Sequence, residues 1–209
     1  MSPETLAKLR LYLVTDRAAT AARPLLDVVG EALGAGVRAV QLRERGLGTR
    51  ELLDLAICLR ELTSRHGALL LVNDRVDVAL ACGADGAHLP VSSFSVADAR
   101  ALLPPGSIVG VSTHSVAEVR VAAKDGADFA VLGPIFDTPS KREFGPPLGL
   151  DVLEEACAPG SLPVIAIGGV DASNVAACRA HGAEGIAVIR ALMSAADPAS
   201  AARALLERF

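Results

Sequence analysis

No stretch of the 209 residues stays apolar over the roughly 18 positions that a membrane-spanning helix requires. Basic charge is not in excess either. The formal net charge is −4, so there is no positive field to hold nucleic acid or an acidic membrane. The N-terminus, Met1 to Arg10, is mixed in character and runs straight into the short apolar run Leu11–Val14, without the architecture of a signal peptide. The expected location is therefore the cytoplasm. The four cysteines, Cys58, Cys82, Cys157 and Cys178, form no CxxC pair, and each lies in an apolar helical pattern. Reduced, buried thiols are expected from them rather than metal or redox centres. No linker or low-complexity segment divides the chain, and no GxGxxG follows the first strand pattern, which counts against an open, doubly wound dinucleotide sheet.

What is present is a globular composition, 51% hydrophobic and 21% charged, enough to build one sizeable core over residues 1–209. Short β-branched runs alternate with longer helical patterns. The candidate strands are Leu11–Thr15, Val37–Leu42, Leu69–Val72, Gly86–Leu89, Ile108–Ser112, Phe129–Leu132, Val164–Ile167 and Gly185–Ile189. Between them, Leu52, Leu55, Ala56, Leu59 and Leu62 fall at helical spacing, as do Val116, Val119, Ala122 and Ala123. Strand–helix alternation implies parallel pairing, because each crossover returns the chain to the same end of the sheet. Eight such units in one domain predict an α/β fold, a closed (β/α)8 TIM barrel. A small unit recurs at strand entries: Gly34-Ala35-Gly36-Val37, Gly83-Ala84-Asp85-Gly86, Gly126-Ala127-Asp128-Phe129 and Gly182-Ala183-Glu184-Gly185. A left-handed Gly that ends the helix and a short turn into the next strand account for it.

Barrel chemistry sits just after the strands. The predicted rim carries the cations Arg43, Arg45, Lys141 and Arg190 together with the donors Ser112, Thr138 and Ser140, a ring that suits a phosphorylated anion. Gly168-Gly169 is read as a phosphate seat that opens a helix, beside the segment Val188, Ile189 and Arg190 after the eighth strand. His114, flanked by hydroxyls after the fifth strand, is the imidazole placed to move protons, with helix capping as the structural alternative. His88 ends its strand, where a packed role is as good an account, while His66 and His181 read as surface residues at helix ends. Asp74, after Asn73, stands alone: it could bind a hard cation or cap a helix, and the loop after the fourth strand offers Ser92 and Ser93 instead of a second acid.

In this order these residues resemble the thiamine phosphate synthase superfamily, which contains the synthase and a thiazole tautomerase (TenI-like) branch. The resemblance runs from Leu11 to Val188. It is carried by "VQLRERG" (Val40–Gly46), "VNDRVDVALACGADGAHL" (Val72–Leu89), "GVSTHS" (Gly110–Ser115), "LGPIFDTPSK" (Leu132–Lys141) and "PVIAIGGV" (Pro163–Val170). It implies a barrel that binds a thiazole phosphate. For a synthase it would assign pyrophosphate contacts to Arg43, Asn73, Ser112 and Lys141, thiazole-phosphate contacts to Thr138, Ser140, Gly168 and Gly169, and a magnesium ligand to Asp74. Three positions depart from the synthase pattern. Ser93 of "LPVSSFS" stands where the acidic loop supplies a second carboxylate, Arg45 replaces a Lys, and Arg190 replaces a Ser. The strand-four loop resembles the tautomerase branch, in which a histidine placed like His114 is the acid/base.

The main expectation is thus a metal-independent isomerase that aromatises a thiazole phosphate carboxylate by a proton shift through His114, with no cofactor. The alternative is the synthase, a transferase joining an aminopyrimidine pyrophosphate to the thiazole phosphate, with Mg²⁺ needed in that case. A non-catalytic regulatory relative is the second alternative. The expected partner is a small phosphorylated thiazole, with no nucleic acid and no membrane; a homo-oligomer is compatible with all three readings.

Overall fold

The computed structural model describes residues 1–138, 142 and 145–209. Eight strands alternate with helices: β1 (Leu11–Val14), β2 (Ala39–Leu42), β3 (Leu69–Asn73), β4 (Gly86–Leu89), β5 (Ile108–Thr113), β6 (Phe129–Leu132), β7 (Val164–Ile167) and β8 (Gly185–Val188). The helices are α1 (Pro3–Lys8), α2 (Leu25–Gly34), α3 (Thr49–Arg65), α4 (Val76–Cys82), α5 (Val96–Leu102), α6 (Val116–Lys124), α7 (Gly149–Ala156), α8 (Val175–Ala180), α9 (Arg190–Met193) and α10 (Pro198–Arg208). Every neighbouring pair of strands is parallel, and β1 pairs with β8, which closes the ring in sequence order. The expected barrel is what forms. β2 begins at Ala39 rather than Val37, and β8 ends at Val188, one residue before the expected limit.

The strands are buried on both faces, which is why they read as continuous apolar runs rather than alternating ones. Alternate residues serve two separate cores. Tyr12, Val14, Ala39, Leu69, Leu71, Phe129, Val131 and Ile165 fill the barrel interior. Leu11, Leu13, Val40, Leu42, Leu70 and Val72 face the helices. Gly110 makes room inside: a Cβ there would lie 2.3 Å from the Phe129 ring, directly across the β5–β6 pair. Helix α3 buries Leu52, Ala56, Leu59 and Thr63, spaced for one face, and the Glu51 carboxylate accepts the Gly48 N–H at its start. Ser95, Ser115 and Asp197 accept backbone N–H groups at the starts of α5, α6 and α10.

At the opposite end of the barrel from the site, the recurring turns behave as expected in three cases out of four. Gly83, Gly126 and Gly182 take positive φ, whereas in the first unit the left-handed residue is Gly36 and Gly34 remains helical. Two of these turns carry a carboxylate that fastens the barrel floor. Asp85 Oδ2 accepts the Leu70 N–H at 2.7 Å and pairs with Arg60 of α3. Asp128 Oδ2 accepts the Val109 N–H at 2.7 Å and pairs with Arg100 of α5 at 2.6 Å. Of the cysteines, Cys178 is buried as expected, but Cys58 is exposed, on the outer face of α3. Among the described residues, no helix is long and apolar enough to cross a membrane.

Candidate active site

The inward-facing register of the strands brings a polar layer to the top of the apolar interior. Gln41 sits one pleat above Ala39, and its Nε2 donates to the Tyr12 hydroxyl at 3.1 Å. Burial drives the Tyr12 phenol far up from its ordinary pKa, against the opposing effect of the Gln41 bond, so it stays protonated. His88, 2% exposed, lies against Tyr12 and Phe129, with ring centroids 6.1 and 6.0 Å away. Its Nε2 is 2.9 Å from Ser112 Oγ, whereas Nδ1 is buried without a partner. Burial, with the Arg43 charge as a second cause, brings the imidazole down to about 3. It is neutral at any ordinary working pH.

The next pleat of the same strands forms the rim. Arg43 follows Gln41 by two and is half-buried; its backbone N–H is held by the buried Thr15 hydroxyl at 2.9 Å. Burial and the neighbouring Arg45 lower its pKa, Asp16 and Glu44 oppose this, and a guanidinium remains charged regardless. Glu44 accepts the Arg17 N–H on both oxygens, at 3.1 and 3.2 Å, which ties the loop after β1 to the loop after β2. None of the ion pairs among the described residues involves Arg43, Arg45 or Arg190.

Asn73 ends β3, half-buried and in register with His88. Asp74 follows with φ of 66°, in the left-handed region, and its side chain is exposed. Holding a residue other than Gly there costs roughly 1–2 kcal/mol, and Asp is among the types that tolerate it best. The carboxylate does not cap α4, whose first turn has no side-chain cap. In the loop after β4, the Ser93 N–H donates to the Pro90 carbonyl at 2.9 Å, and its hydroxyl is buried without a partner. The nearest acid in the sequence, Asp98, is engaged by Ser95 at the start of α5. Among the described residues, no cluster of three or more His, Cys, Asp or Glu is built to hold a metal by itself.

His114 is brought to the rim but is turned to another task. Its backbone N–H donates to Glu118 Oε2 at 2.7 Å, its ring Nδ1 is 3.7 Å from the same oxygen, and 47% of the side chain is exposed. It immediately precedes Ser115, whose side chain, not the imidazole, caps α6. After β6 the chain stays extended beside β7: the Ile135 N–H donates to Ile167 and the Phe136 N–H to Gly168. Thr138, half-buried, follows an exposed Asp137–Arg142 pair whose guanidinium holds the Asp137 carboxyl below the usual range. The expected contacts Ser140 and Lys141 lie outside the described residues.

Gly168 and Gly169 both take positive φ, and a Cβ would lie 2.5 Å from Pro134 at the first and 2.7 Å from the Asp137 carbonyl at the second. Only Gly lets the loop after β7 lie so close to the segment after β6. Their carbonyls are tied back, Gly168 to the Phe136 N–H and Gly169 to Asn174 Nδ2 at 2.8 Å. One expectation needs correction: the glycine pair does not open a helix. α8 starts at Val175, after a turn in which Asp171 and Asn174 satisfy local N–H groups. The short helix at the rim is α9, which Arg190 opens directly after Val188 and Ile189.

Sequence reasoning did not single out the inward layer of Tyr12, Thr15 and Phe129 beneath the rim, and it assigned no role to Gln41. The available signal was parity: Gln41 and Arg43 are two apart, so a strand that points one inward points the other inward as well.

Comparison with known proteins bears on which chemistry this rim performs. Residues 11–192 match the family model described as thiamine monophosphate synthase. The thiamine-phosphate synthase of Methanoculleus marisnigri is 46% identical over 95% of this chain and 94% of its own length. That of Albidiferax ferrireducens is 45% identical over 94% of this chain and 90% of its own. The solved thiamine phosphate pyrophosphorylase from Pyrococcus furiosus superposes with a TM-score of 0.89 at 37% identity, covering 97% of this chain and 96% of that one. These matches overturn the expectation of a tautomerase, and with it the isomerase class, in favour of the transferase alternative. The expectation leaned on a few rim positions, Ser93 in the loop Leu89–Ser95, Arg45, Arg190 and His114, and loop positions vary more readily than the frame they decorate. The proton-transfer role given to His114 belonged to that reading and goes with it.

Proposed function

The chain belongs to the thiamine monophosphate synthase family, and from that premise we propose that it joins an aminopyrimidine pyrophosphate to a thiazole phosphate and releases pyrophosphate. The observation that supports this reading is a rim with donors of two kinds, which we take as two anion seats. Along β2 to β5 stand side-chain donors: Arg43, Arg45, Asn73 and Ser112. Along β6 to β8 stand Thr138 and backbone N–H groups at Gly168, Gly169, Ile189 and Arg190, none of which donates to another protein group among the described residues. In an eight-strand ring β2 faces β6 and β3 faces β7, so the seats oppose each other across the mouth. Two phosphorylated substrates laid from opposite sides meet at the centre, above Gln41 and His88.

The transfer moves no proton. The bond between the pyrimidine's methylene carbon and the pyrophosphate oxygen breaks, and pyrophosphate keeps the electron pair. The thiazole nitrogen supplies the pair for the new carbon–nitrogen bond. A protein base is unnecessary, and the work left to the chain is positioning and stabilising the charge that grows on the leaving group. Arg43 does so from a half-buried position, where a fixed charge acts through less water than at the surface. Asn73 and Ser112 supply neutral donors beside it, and Lys141 and Ser140 are proposed to join from the following loop. The backbone seat anchors the thiazole phosphate.

The family resemblance brings Mg²⁺ with this chemistry. The donors here fit a hard cation that arrives with its substrate: Asp74 offers one free, exposed carboxylate, and pyrophosphate oxygens with water complete the usual set. When bound, the ion would neutralise charge on the departing pyrophosphate. Asp74 is the residue proposed to hold it.

The test is to incubate the protein with both substrates, with and without Mg²⁺, and assay thiamine phosphate. Formation of the product, with pyrophosphate released in equal amount, is expected. Its absence under both conditions would sink the reading.

A further inference from the structure

Resting on the synthase reading, we propose that His88 is a positioning residue, whose Nε2–H holds the Ser112 hydroxyl so that its hydrogen points to the pyrophosphate. His88 lies near the end of its strand inside the barrel, 2% exposed, packed against the Tyr12 and Phe129 rings, which also pack edge-on to each other. It touches the mouth of the site at one atom, Nε2, 2.9 Å from Ser112 Oγ. The register fixes this pair: His88 is directly opposite Gly110 on β5, and Ser112 is the next inward residue above it. Gly110 also leaves the space that Phe129 needs to pack against the ring.

A neutral imidazole carries one N–H, and the surroundings decide where. Nδ1 is buried and has no partner. A proton on Nδ1 would be an orphaned buried N–H, the rarest kind of unsatisfied group. A proton on Nε2 leaves only a lone pair at Nδ1, which is better tolerated. Ser112 then accepts from His88, so its own hydrogen cannot turn inward and is presented at the rim. With the other tautomer, Ser112 would spend its hydrogen on His88 and turn lone pairs toward an anion. A buried, half-satisfied imidazole is poor core material, since an apolar residue of similar size would fill the space without an orphan atom. Its placement is accounted for by what it does to Ser112.

The experiment compares wild type, His88→Gln, His88→Leu, Ser112→Ala and the His88→Leu/Ser112→Ala double variant. Inorganic pyrophosphate with Mg²⁺ is titrated into each by calorimetry, with far-UV circular dichroism to confirm folding. His88→Leu should weaken pyrophosphate about tenfold. His88→Gln, which keeps an amide donor near Nε2, should recover most of that loss. In the Ser112→Ala background His88→Leu should cost nothing further. Equal losses in both backgrounds, no loss in His88→Leu, or no binding of pyrophosphate by the wild type would each overturn the proposal. Should the Leu variant not fold, nitrogen NMR of the wild type decides: a proton on Nε2 supports the proposal, and a proton on Nδ1 overturns it. Wild-type formation of thiamine phosphate tests the synthase reading separately. A protein that shows the coupling but makes no product would refute that reading and leave the His88 role standing.

Discussion

Single side chains in this barrel carry consequences that depend on solution conditions. Folding takes the His88 imidazole from its ordinary 6.5 to about 3. Above 6.5 the folded and unfolded chains both hold it neutral, and it contributes no pH dependence. As pH falls through 6.5, the unfolded chain takes a proton that the folded chain refuses, so stability declines until about pH 3. Of the groups that touch or act on the ring, Tyr12 stays protonated and Arg43 stays charged throughout, so neither masks the effect. Relative to His88→Gln, the wild type should lose about 2 kcal/mol of unfolding free energy between about pH 7 and about pH 5. Urea denaturation of both proteins at the two values measures this, and a pH-independent difference would mean that the ring is in contact with water when folded. The second residue-scale case is Ser93. With one free carboxylate at Asp74 and a hydroxyl in the facing loop, the free protein should bind Mg²⁺ only at millimolar levels, because a lone carboxylate displaces few of the waters that Mg²⁺ holds. Ser93→Asp should tighten that binding about tenfold or more, read by calorimetry without substrate. Unchanged affinity would show that position 93 does not face the Asp74 site.

Between residues and the whole barrel lie the turns that join helix to strand, and there the two ends of the molecule divide their labour. The Gly-Ala-Asp turns before β4 and β6 were legible as turns, because Gly and its neighbours dictate the backbone locally. What Asp85 and Asp128 do was not legible, because each is completed by an arginine 25 or 28 residues earlier in the chain and by the N–H of an adjacent strand. No window of sequence contains both partners. Removing either carboxylate takes the counter-charge from a half-buried guanidinium, which keeps its other hydrogen bonds, and leaves a strand N–H without this acceptor. Asp128→Ala should therefore cost about 2–4 kcal/mol of stability by denaturant titration, while kcat and both KM values stay near wild type, since the turn is at the end of the barrel remote from the rim. A fall in kcat with stability unchanged would contradict that division. The same limit explains the misplaced helix at Gly168-Gly169. A glycine pair after a strand looks like a helix start in sequence, but at φ of 96° and 66° it continues as a loop, and the Asp171–Asn174 turn postpones α8 to Val175.

Across the whole molecule the fold was readable because alternation is a global pattern: eight apolar runs separated by amphipathic segments leave a closed parallel ring as the natural way to bury both faces of every strand. The choice between two chemistries on that ring was not readable from a few rim positions, and it took similarity over more than nine-tenths of the chain to reverse it. Arg43, Asn73, Ser112 and Thr138 lie at or beyond the C-terminal ends of their strands, as their place in the sequence implied, because position after a strand is itself sequence information. Tyr12 was passed over and Gln41 was given no role, because their contact with each other joins two strands and requires the register. Closure of the barrel also sets up the sharpest test of the proposed assignment. β2 and β6 are separated by three strands in either direction around the ring, so Arg43 and Thr138 stand on opposite arcs. They share no hydrogen bond, and in a rigid frame residues so far apart contribute independently. Arg43→Gln should raise the KM for the pyrimidine pyrophosphate by roughly 10–100-fold, the worth of a charged hydrogen bond, and leave the thiazole phosphate KM within about twofold. Thr138→Ala should do the reverse at about tenfold or less, since a neutral hydroxyl is lost. In the double variant each KM should equal that of the single variant on its own arc. Steady-state kinetics with each substrate varied against saturating amounts of the other would read all four constants. If either single change raises both KM values together, the two phosphorylated substrates do not occupy opposite arcs, and the division of the rim between β2–β5 and β6–β8 is wrong.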